Sequence, residues 1–141
     1  MKVLILSRAR LREPSLKERF EYYRTLLRGR LSLEHQLVPR NRPLAGSLPA
    51  RWEAIALDER GEQLDSRGFA KKLNHFITTA APGIAFLLGD ADGFRPDDLD
   101  GVRHKISLSK LTFPHQLCFV LLAEQVYRAD TILKQGRYHR D

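Results

Sequence analysis

The chain has 141 residues, of which 43% are hydrophobic, and this length suffices to bury a core without disulfides or a structural metal. It carries 24 Lys and Arg against 17 Asp and Glu, and the net charge of +7 favours anionic partners, with nucleic acid ahead of a membrane surface. The single cysteine, Cys118, excludes an internal disulfide, and Cys/His zinc spacing is absent, so we expect a buried thiol, a cytoplasmic protein and no metal. The apolar run Val3–Leu6 is too short for a signal peptide or a membrane span.

Short apolar runs alternate with helical patterns along the whole chain. Strands are predicted at Val3–Leu6, Leu33–Val38, Ala54–Leu57, Ile84–Leu88 and Lys105–Leu108. Helices are predicted from Pro14, from about Asp65, and from Pro114 to about Lys134. Strands that alternate with helices indicate one α/β domain over residues 1–141 with a mostly parallel sheet flanked by helices.

Local signals place the ends of these helices. Ser15 and Glu18 have the spacing of a capping box, and Thr112 is a candidate N-cap for the long last helix. That helix carries apolar and polar residues at helical spacing, namely Leu117, Val120, Leu121, Glu124 and Tyr127.

Three turn-rich segments follow predicted strands, at residues 58–61, 89–93 and 109–113. Because ligands of open α/β sheets bind beyond the carboxyl ends of the strands, we expect these segments to converge on one cleft. Gly89 and Gly93 bring a backbone amide close to a nucleotide-like ligand, or they simply make a tight turn. Their spacing fits neither the dinucleotide pattern nor the P-loop, which argues against NTPase chemistry.

The remaining polar candidates each have two readings. His115 is either a catalytic or a packing histidine, and Glu124 is either a base or the ion-pair partner of Arg128 four residues on. The basic residues after the first strand and at the end of the chain either clamp phosphates or form a solvated surface; they are Arg8, Arg10, Arg12, Arg137 and Arg140. The sequence has no Gly-x-Ser-x-Gly nucleophile elbow, which argues against a hydrolase mechanism.

Several blocks in order carry a family resemblance over residues 54–141: Ala56–Gly61, Phe69–Leu73, Ile84–Gly89 with Ala91–Gly93, Ser107–Leu117, Glu124–Ala129, and Tyr138 with His139. Together they resemble the small SPOUT-class methyltransferases that modify N3 of a pseudouridine in large-subunit (23S) ribosomal RNA. Residues 1–53 match only as strand, helix and strand.

The resemblance implies a C-terminal deep trefoil knot and a homodimer, with the knot and cofactor region at 54–141. It also implies S-adenosylmethionine as cofactor, held by residues matched by position: Leu57, Gly89, Leu108, Ser109, Lys110, Leu111, Thr112 and Phe113. The implied substrate is ribosomal RNA on an assembled ribosome. We expect His115, Tyr138, His139 and Arg140 to position the pseudouridine, with the tail acting across the dimer. The alternatives are a catalytically weak or inactive RNA-binding protein of this fold, or methylation of another uridine or RNA.

Two departures from the family pattern lead to expectations of their own. Asp90 stands where these enzymes usually have a second glycine, which adds a carboxylate beside the cofactor. The proline-rich segment at 39–50 stands where relatives usually have a helix. We therefore expect one covering helix to be missing and that sheet face to be thinner or covered by the loop.

Overall fold

Five parallel strands form one sheet in the computed structural model, which describes residues 1–27, 29, 31–79 and 81–140. The strands are β1 (Lys2–Ser7), β2 (Ser32–Leu37), β3 (Glu53–Gln63), β4 (Gly83–Leu88) and β5 (His104–Ser107). The helices are α1 (Pro14–Leu26), α2 (Ser66–Thr78) and α3 (His115–Leu133). The strand order is β2-β1-β4-β3-β5, and every pairing is parallel, which confirms the predicted α/β class. The trefoil knot stays a prediction, because strand order alone does not define how the chain passes through a loop.

The helices all pack on one face of the sheet. Alternation along β1 sends Val3 and Ile5 into a large core with α1, α2 and α3, whereas Leu4 and Leu6 point to the opposite face. That opposite face forms a smaller core with Val38, Leu44, Ala54, Ala85 and Leu87.

Loops cover the smaller core, as the shortened segment predicted. Residues 39–50 contain only a three-residue 3-10 turn, Ala45–Ser47, and no α-helix. The partly buried side chains that close this face come from residues 45–52 and 94–102: Ala45, Leu48, Trp52, Phe94, Leu99 and Val102.

Both predicted helix caps at Ser15 and Thr112 are wrong. The first residue of α1 is Pro14, so Ser15 lies inside the helix, and the N-cap residue Glu13 makes no side-chain hydrogen bond. The N-cap of α3 is Pro114, two residues beyond Thr112. In both cases proline sets the start, because its fixed φ suits a helix entrance and its missing N–H costs nothing there.

The third strand extends further than predicted. Residues 58–61 were expected to be a turn after the strand, but β3 continues to Gln63, with a register shift between Leu57 and Glu62 where both face Ile106 of β5. Gly61 permits this bulge, because a Cβ atom there would lie 2.7 Å from the backbone carbonyl carbon of Ile106.

The buried side of α3 faces the large core. Its fully buried residues are Phe119, Leu122, Ala123, Val126 and Ala129. Leu117 and Leu121 are instead 38% and 36% exposed, so the helix presents an apolar pair to its outer side.

Candidate functional site

One cavity of about 830 Å³ lies at the carboxyl ends of β4, β3 and β5. All three segments line it: the first contributes Asp58, Glu59 and Arg60, the second Gly89, Asp90, Ala91 and Gly93, and the third Ser109, Leu111, Thr112 and Phe113. The predicted convergence is therefore confirmed. Its volume falls within the range of roughly 300–1,000 Å³ that is typical of small-molecule sites.

Seven of the eight residues assigned to the cofactor by resemblance line this cavity: Leu57, Gly89, Leu108, Ser109, Leu111, Thr112 and Phe113. Lys110 is exposed and does not line it. Leu111 is 70% exposed at the cavity wall, so its side chain is available to cover an apolar ligand surface. The third loop thus supplies apolar walls beside a polar backbone.

The loop after β5 is held by short-range hydrogen bonds. The Ser107 hydroxyl donates to the Ser109 carbonyl at 2.8 Å, and the Leu111 N–H donates to the Ser109 hydroxyl at 3.0 Å. Thr112 Oγ1 donates to Glu59 Oε2 at 3.0 Å, which ties this loop to the bulge of β3. Within the described residues, the loop N–H groups of Lys110 and Phe113 donate to no protein acceptor, so this loop retains free donors.

The glycine loop after β4 is a tight turn as well as a cavity wall. The Gly93 N–H donates to the Asp90 carbonyl at 2.9 Å, and Gly93 has φ +82°, which favours glycine. A Cβ atom on Gly89 would lie 2.9 Å from the carbonyl carbon of Gly93. The tight turn is therefore confirmed, whereas contact of this turn with a nucleotide-like ligand stays a prediction.

Asp90 leaves the cavity open. Its Oδ1 accepts a hydrogen bond from the Asp92 N–H at 3.0 Å, so the carboxylate folds back on its own turn while still lining the cavity. Among the described non-glycine residues only Arg51 and Gln135 have positive φ, so Asp90 keeps an ordinary backbone. The extra side chain is accommodated without strain.

Asp58, in the bulge of β3, is held as an anion at the cavity wall. A hydrogen bond from the Arg60 N–H at 2.9 Å lowers the pKa of Asp58, and the Arg60 and Lys105 cations act in the same direction against burial. A carboxylate at this wall attracts a positively charged ligand group.

A buried ion pair fixes the loops beside the cavity, and sequence reasoning missed it. Asp98 is fully buried and accepts hydrogen bonds from Arg8, from the Leu44 N–H at 2.9 Å and from the Arg95 N–H at 2.7 Å. Burial alone would raise the pKa of Asp98, but these donors outweigh it and lower the pKa to about 2. The partners are 90 residues apart in the chain, so no local pattern indicates the pair.

A family model described as "Predicted SPOUT methyltransferase" matches residues 1–139. The chain belongs to the SPOUT methyltransferase family. The resemblance found in the sequence is thereby confirmed, and membership of this family implies a methyl donor.

Two relatives of this SPOUT methyltransferase are named "Ribosomal RNA large subunit methyltransferase H". The one from Rhodopseudomonas palustris (strain BisA53) is 44% identical over 93 residues, covering 66% of this chain and 58% of the relative. The one from Xanthobacter autotrophicus (strain ATCC BAA-1158 / Py2) is 41% identical over 107 residues, covering 76% and 67%. The first alignment thus spans less than two thirds of the relative.

Solved structures share the fold of this SPOUT chain. TrmJ from Z. mobilis ZM4 has a TM-score of 0.57 at 13% identity, covering 93% of this chain and 70% of that one. A probable methyltransferase from Bordetella pertussis Tohama I has a TM-score of 0.54 at 14% identity, covering 91% and 95%. At such identities the likeness establishes the fold alone.

The residues expected to position the SPOUT substrate do not meet within one chain. His115, the first residue of α3, lines the cavity, but Tyr138, His139 and Arg140 do not. The Tyr138 hydroxyl donates to Glu124 Oε1 at 3.1 Å, nine residues beyond His115. Nine residues rise about 13 Å along a helix, so the tail of a chain packs well away from its own cavity entrance.

The same tail contacts resolve the two readings of Glu124. Arg128 Nη2 lies 2.6 Å from Glu124 Oε1, which confirms the ion pair, and Arg128 Nη1 lies 3.0 Å from His139 Nδ1. Burial, together with hydrogen bonds to Tyr23 and Glu124, raises the pKa of Tyr138, so its hydroxyl stays protonated at neutral pH.

Cys118 lies at the cavity wall, half-buried where full burial was predicted. Burial raises the pKa of the Cys118 thiol, which disfavours the reactive thiolate. In the part of the chain that the structure describes, three or more His, Cys, Asp or Glu side chains never gather to hold a metal ion. No described helix is long and apolar enough to cross a membrane.

Proposed function

We propose that this chain transfers the methyl group of S-adenosylmethionine to N3 of a pseudouridine in large-subunit (23S) ribosomal RNA. The substrate is the assembled ribosome, and the enzyme is a cytoplasmic homodimer whose single domain, residues 1–141, carries the knot and cofactor region at 54–141. The observation that supports this most directly is the convergence of three loops on one cavity at the sheet edge. The names of the curated relatives point to the same substrate class.

The cavity fits the proposed cofactor. Leu57, Leu108, Leu111 and Phe113 supply apolar surface for an adenine ring, and the free N–H groups of the last loop suit its polar edge. The Asp58 carboxylate complements a sulfonium or amino group. Gly89 keeps the wall after β4 free of a side chain.

When bound, S-adenosylmethionine supplies a methyl group on a sulfonium, which transfers by in-line attack. The protein then has to align the attacking nitrogen, exclude water and let the imide proton leave. Alignment of this kind lowers the activation free energy by about 7–11 kcal/mol in favourable cases. His115 at the cavity wall and Tyr138, His139 and Arg140 of the partner's tail hold the nucleotide in this proposal.

Asp90 favours one alternative, an RNA-binding protein of this fold that has weak or no turnover. Its carboxylate stands at the cavity wall, where it attracts the sulfonium or repels the cofactor's own carboxylate. The same cavity also suits methylation of another uridine or RNA, because the target is chosen by the RNA-contacting surface.

Calorimetry with S-adenosylmethionine separates these functions, and Gly89→Ala is the informative variant. The new methyl group meets the Gly93 backbone at 2.9 Å, so the wall must shift and we expect cofactor affinity to fall at least tenfold. Gly136→Ala is the matched control, because its Cβ meets only ordinary contacts from 3.4 Å outward in the tail.

A methylation assay on large ribosomal subunits that lack the modification completes the test. Mass spectrometry of the RNA locates the new methyl group. A wild-type chain that binds the subunits but gives no heat with S-adenosylmethionine is the inactive RNA-binding protein. Methylation at another nucleotide would establish the chemistry and overturn the proposed target.

A further inference from the structure

A second cavity, of about 660 Å³, adjoins the proposed cofactor site. It lies at the carboxyl ends of β2, β1 and β4, whereas the cofactor cavity lies at the ends of β4, β3 and β5. The loop after β4 is the common wall, since Asp90 and Ala91 line both cavities, as does His115 of α3. One sheet edge therefore carries two adjacent pockets.

Arginine dominates the second cavity. Five arginines line it from three separate segments: Arg8, Arg10, Arg12, Arg40 and Arg95. The acidic residues on its lining are Asp90 and Asp92, both on the shared wall after β4. Four of the five arginines thus follow β1 and β2, on the side of the sheet away from the proposed cofactor cavity.

Two of these arginines form hydrogen bonds that hold the surrounding loops in place. Arg8 is paired with buried Asp98 and donates to the Arg42 carbonyl at 2.8 Å. Arg95 donates to the Arg40 carbonyl through Nη1. They hold the loops after β1, β2 and β4 together and so shape the cavity.

The other three guanidinium groups have no partner among the residues that the structure describes. Within the described residues, the side chains of Arg10, Arg12 and Arg40 form no hydrogen bond or ion pair, and all three are exposed. The side chain of Gln116 fixes the backbone of the loop that carries Arg10 and Arg12. It donates to the Arg10 carbonyl at 2.6 Å and accepts from the Arg12 N–H at 2.7 Å.

We propose that this arginine-lined cavity binds backbone phosphates of the RNA strand that carries the target nucleotide. The inference rests on the proposed function. Guanidinium groups form bidentate hydrogen bonds with phosphate oxygens, and clustered arginines without carboxylate partners gain most from such a ligand. Phosphates bound here place the neighbouring base at His115 and the shared wall, next to the methyl donor. Asp90 repels phosphate and keeps the backbone out of the cofactor cavity.

The test compares two double variants that each remove two positive charges. Arg12→Ala/Arg40→Ala empties the cavity of two free guanidinium groups, and Lys71→Ala/Arg103→Ala removes two exposed cations that do not line it. Binding of decauridylate and of large ribosomal subunits is measured from 50 to 300 mM salt. Calorimetry with S-adenosylmethionine is run on every variant.

We expect the cavity variant to bind both RNAs about tenfold more weakly at low salt, with a log–log salt slope smaller by about 1–2. Its affinity for S-adenosylmethionine stays within twofold of wild type, and the Lys71/Arg103 control keeps the wild-type slope. Equal losses in both double variants would overturn the phosphate site, because only the overall charge would then matter. A wild-type chain that binds no S-adenosylmethionine refutes the proposed function instead, while the salt slopes still decide the role of the cavity.

Discussion

At the scale of single residues, Asp98 shows how one buried carboxylate organises the edge of the sheet. It joins the end of β1, through Arg8, to the loop that covers the smaller core, through Leu44, and to the turn after β4, through Arg95. All three segments line or support the arginine-lined cavity. The contribution of this buried ion pair is to fix the geometry of the loops, because well-packed apolar residues in place of a buried ion pair often give equal stability.

Asp98 makes stability depend on pH in the acidic range. The folded pKa of about 2 lies below the ordinary value of 3.8, so the ionised form stabilises the fold above pH 4 and this contribution is lost as pH falls towards 2. The difference corresponds to about 2 kcal/mol of unfolding free energy. We expect Asp98→Asn to lower the unfolding free energy by about 3 kcal/mol at pH 7, because Arg8 is left buried without its charged partner.

Urea unfolding at pH 5 and pH 2.5 measures both effects of Asp98→Asn. The wild-type protein should lose unfolding free energy between pH 5 and pH 2.5. This loss should be smaller in the variant, because the carboxyl group that titrates has been removed. Asp100→Asn, an exposed carboxylate two residues away, is the control and should keep the wild-type pH dependence. A variant with an unchanged loss between pH 5 and 2.5 would mean that other carboxylates cause it.

At the scale of elements, α2 has the side-chain cap that α1 lacks. Asp65 Oδ1 accepts a hydrogen bond from the Gly68 N–H at 2.7 Å, at the entrance of a helix whose buried residues are Phe69, Ala70, Leu73 and Phe76. We expect Asp65→Ala to lower the unfolding free energy by about 1 kcal/mol, because one orphan helix donor loses its acceptor. Ser15→Ala, inside α1, should stay within about 0.5 kcal/mol of wild type. Thermal unfolding of both variants checks the pair, and a larger loss for Ser15→Ala would restore the capping box.

The helix starts show which local signals could be predicted. Asp65 lies next to the predicted start of α2 and caps it, whereas Ser15 and Thr112 match cap patterns and cap nothing. A neighbouring proline decides the latter two starts, since its ring sets the entrance geometry before any side chain bonds. The end of β3 was predicted wrongly for another reason. Residues 58–61 have the composition of a turn, but they form a bulge, and pairing with β5 resumes after it.

The candidate site was predictable to the extent that it is built from consecutive strand and loop. Two of the three cavity segments follow their strands directly and the third is the bulge within β3, and parallel strands bring their carboxyl ends to one edge. Contacts between distant segments were not predictable. The Arg8–Asp98 pair spans 90 residues and the Arg10–Gln116 bridge spans 106, and each residue taken alone resembles an ordinary surface side chain.

At the scale of the whole molecule, the cavity and the C-terminal tail lie at different places along α3. The proposed cofactor cavity lies at the carboxyl ends of β4, β3 and β5, but the tail with Tyr138 and His139 packs on α3 near Glu124 and Arg128. The exposed apolar pair Leu117 and Leu121 lies on α3 between these places. A second copy packed on this face would bury the pair and bring its own tail towards the cavity.

We therefore expect Leu117→Glu/Leu121→Glu to yield monomers in analytical ultracentrifugation, because four introduced carboxylates would face one another across the interface. S-adenosylmethionine should still bind within about threefold, since neither side chain lines the cavity, whereas methylation of large ribosomal subunits should fall at least a hundredfold for want of the partner's tail. Tyr22→Glu/Leu26→Glu changes a similarly exposed pair on α1 and should leave the proposed dimer and its activity intact. Monomers that methylate at the wild-type rate would show that one chain completes the site alone, and a dimer broken only by the α1 pair would place the interface on α1.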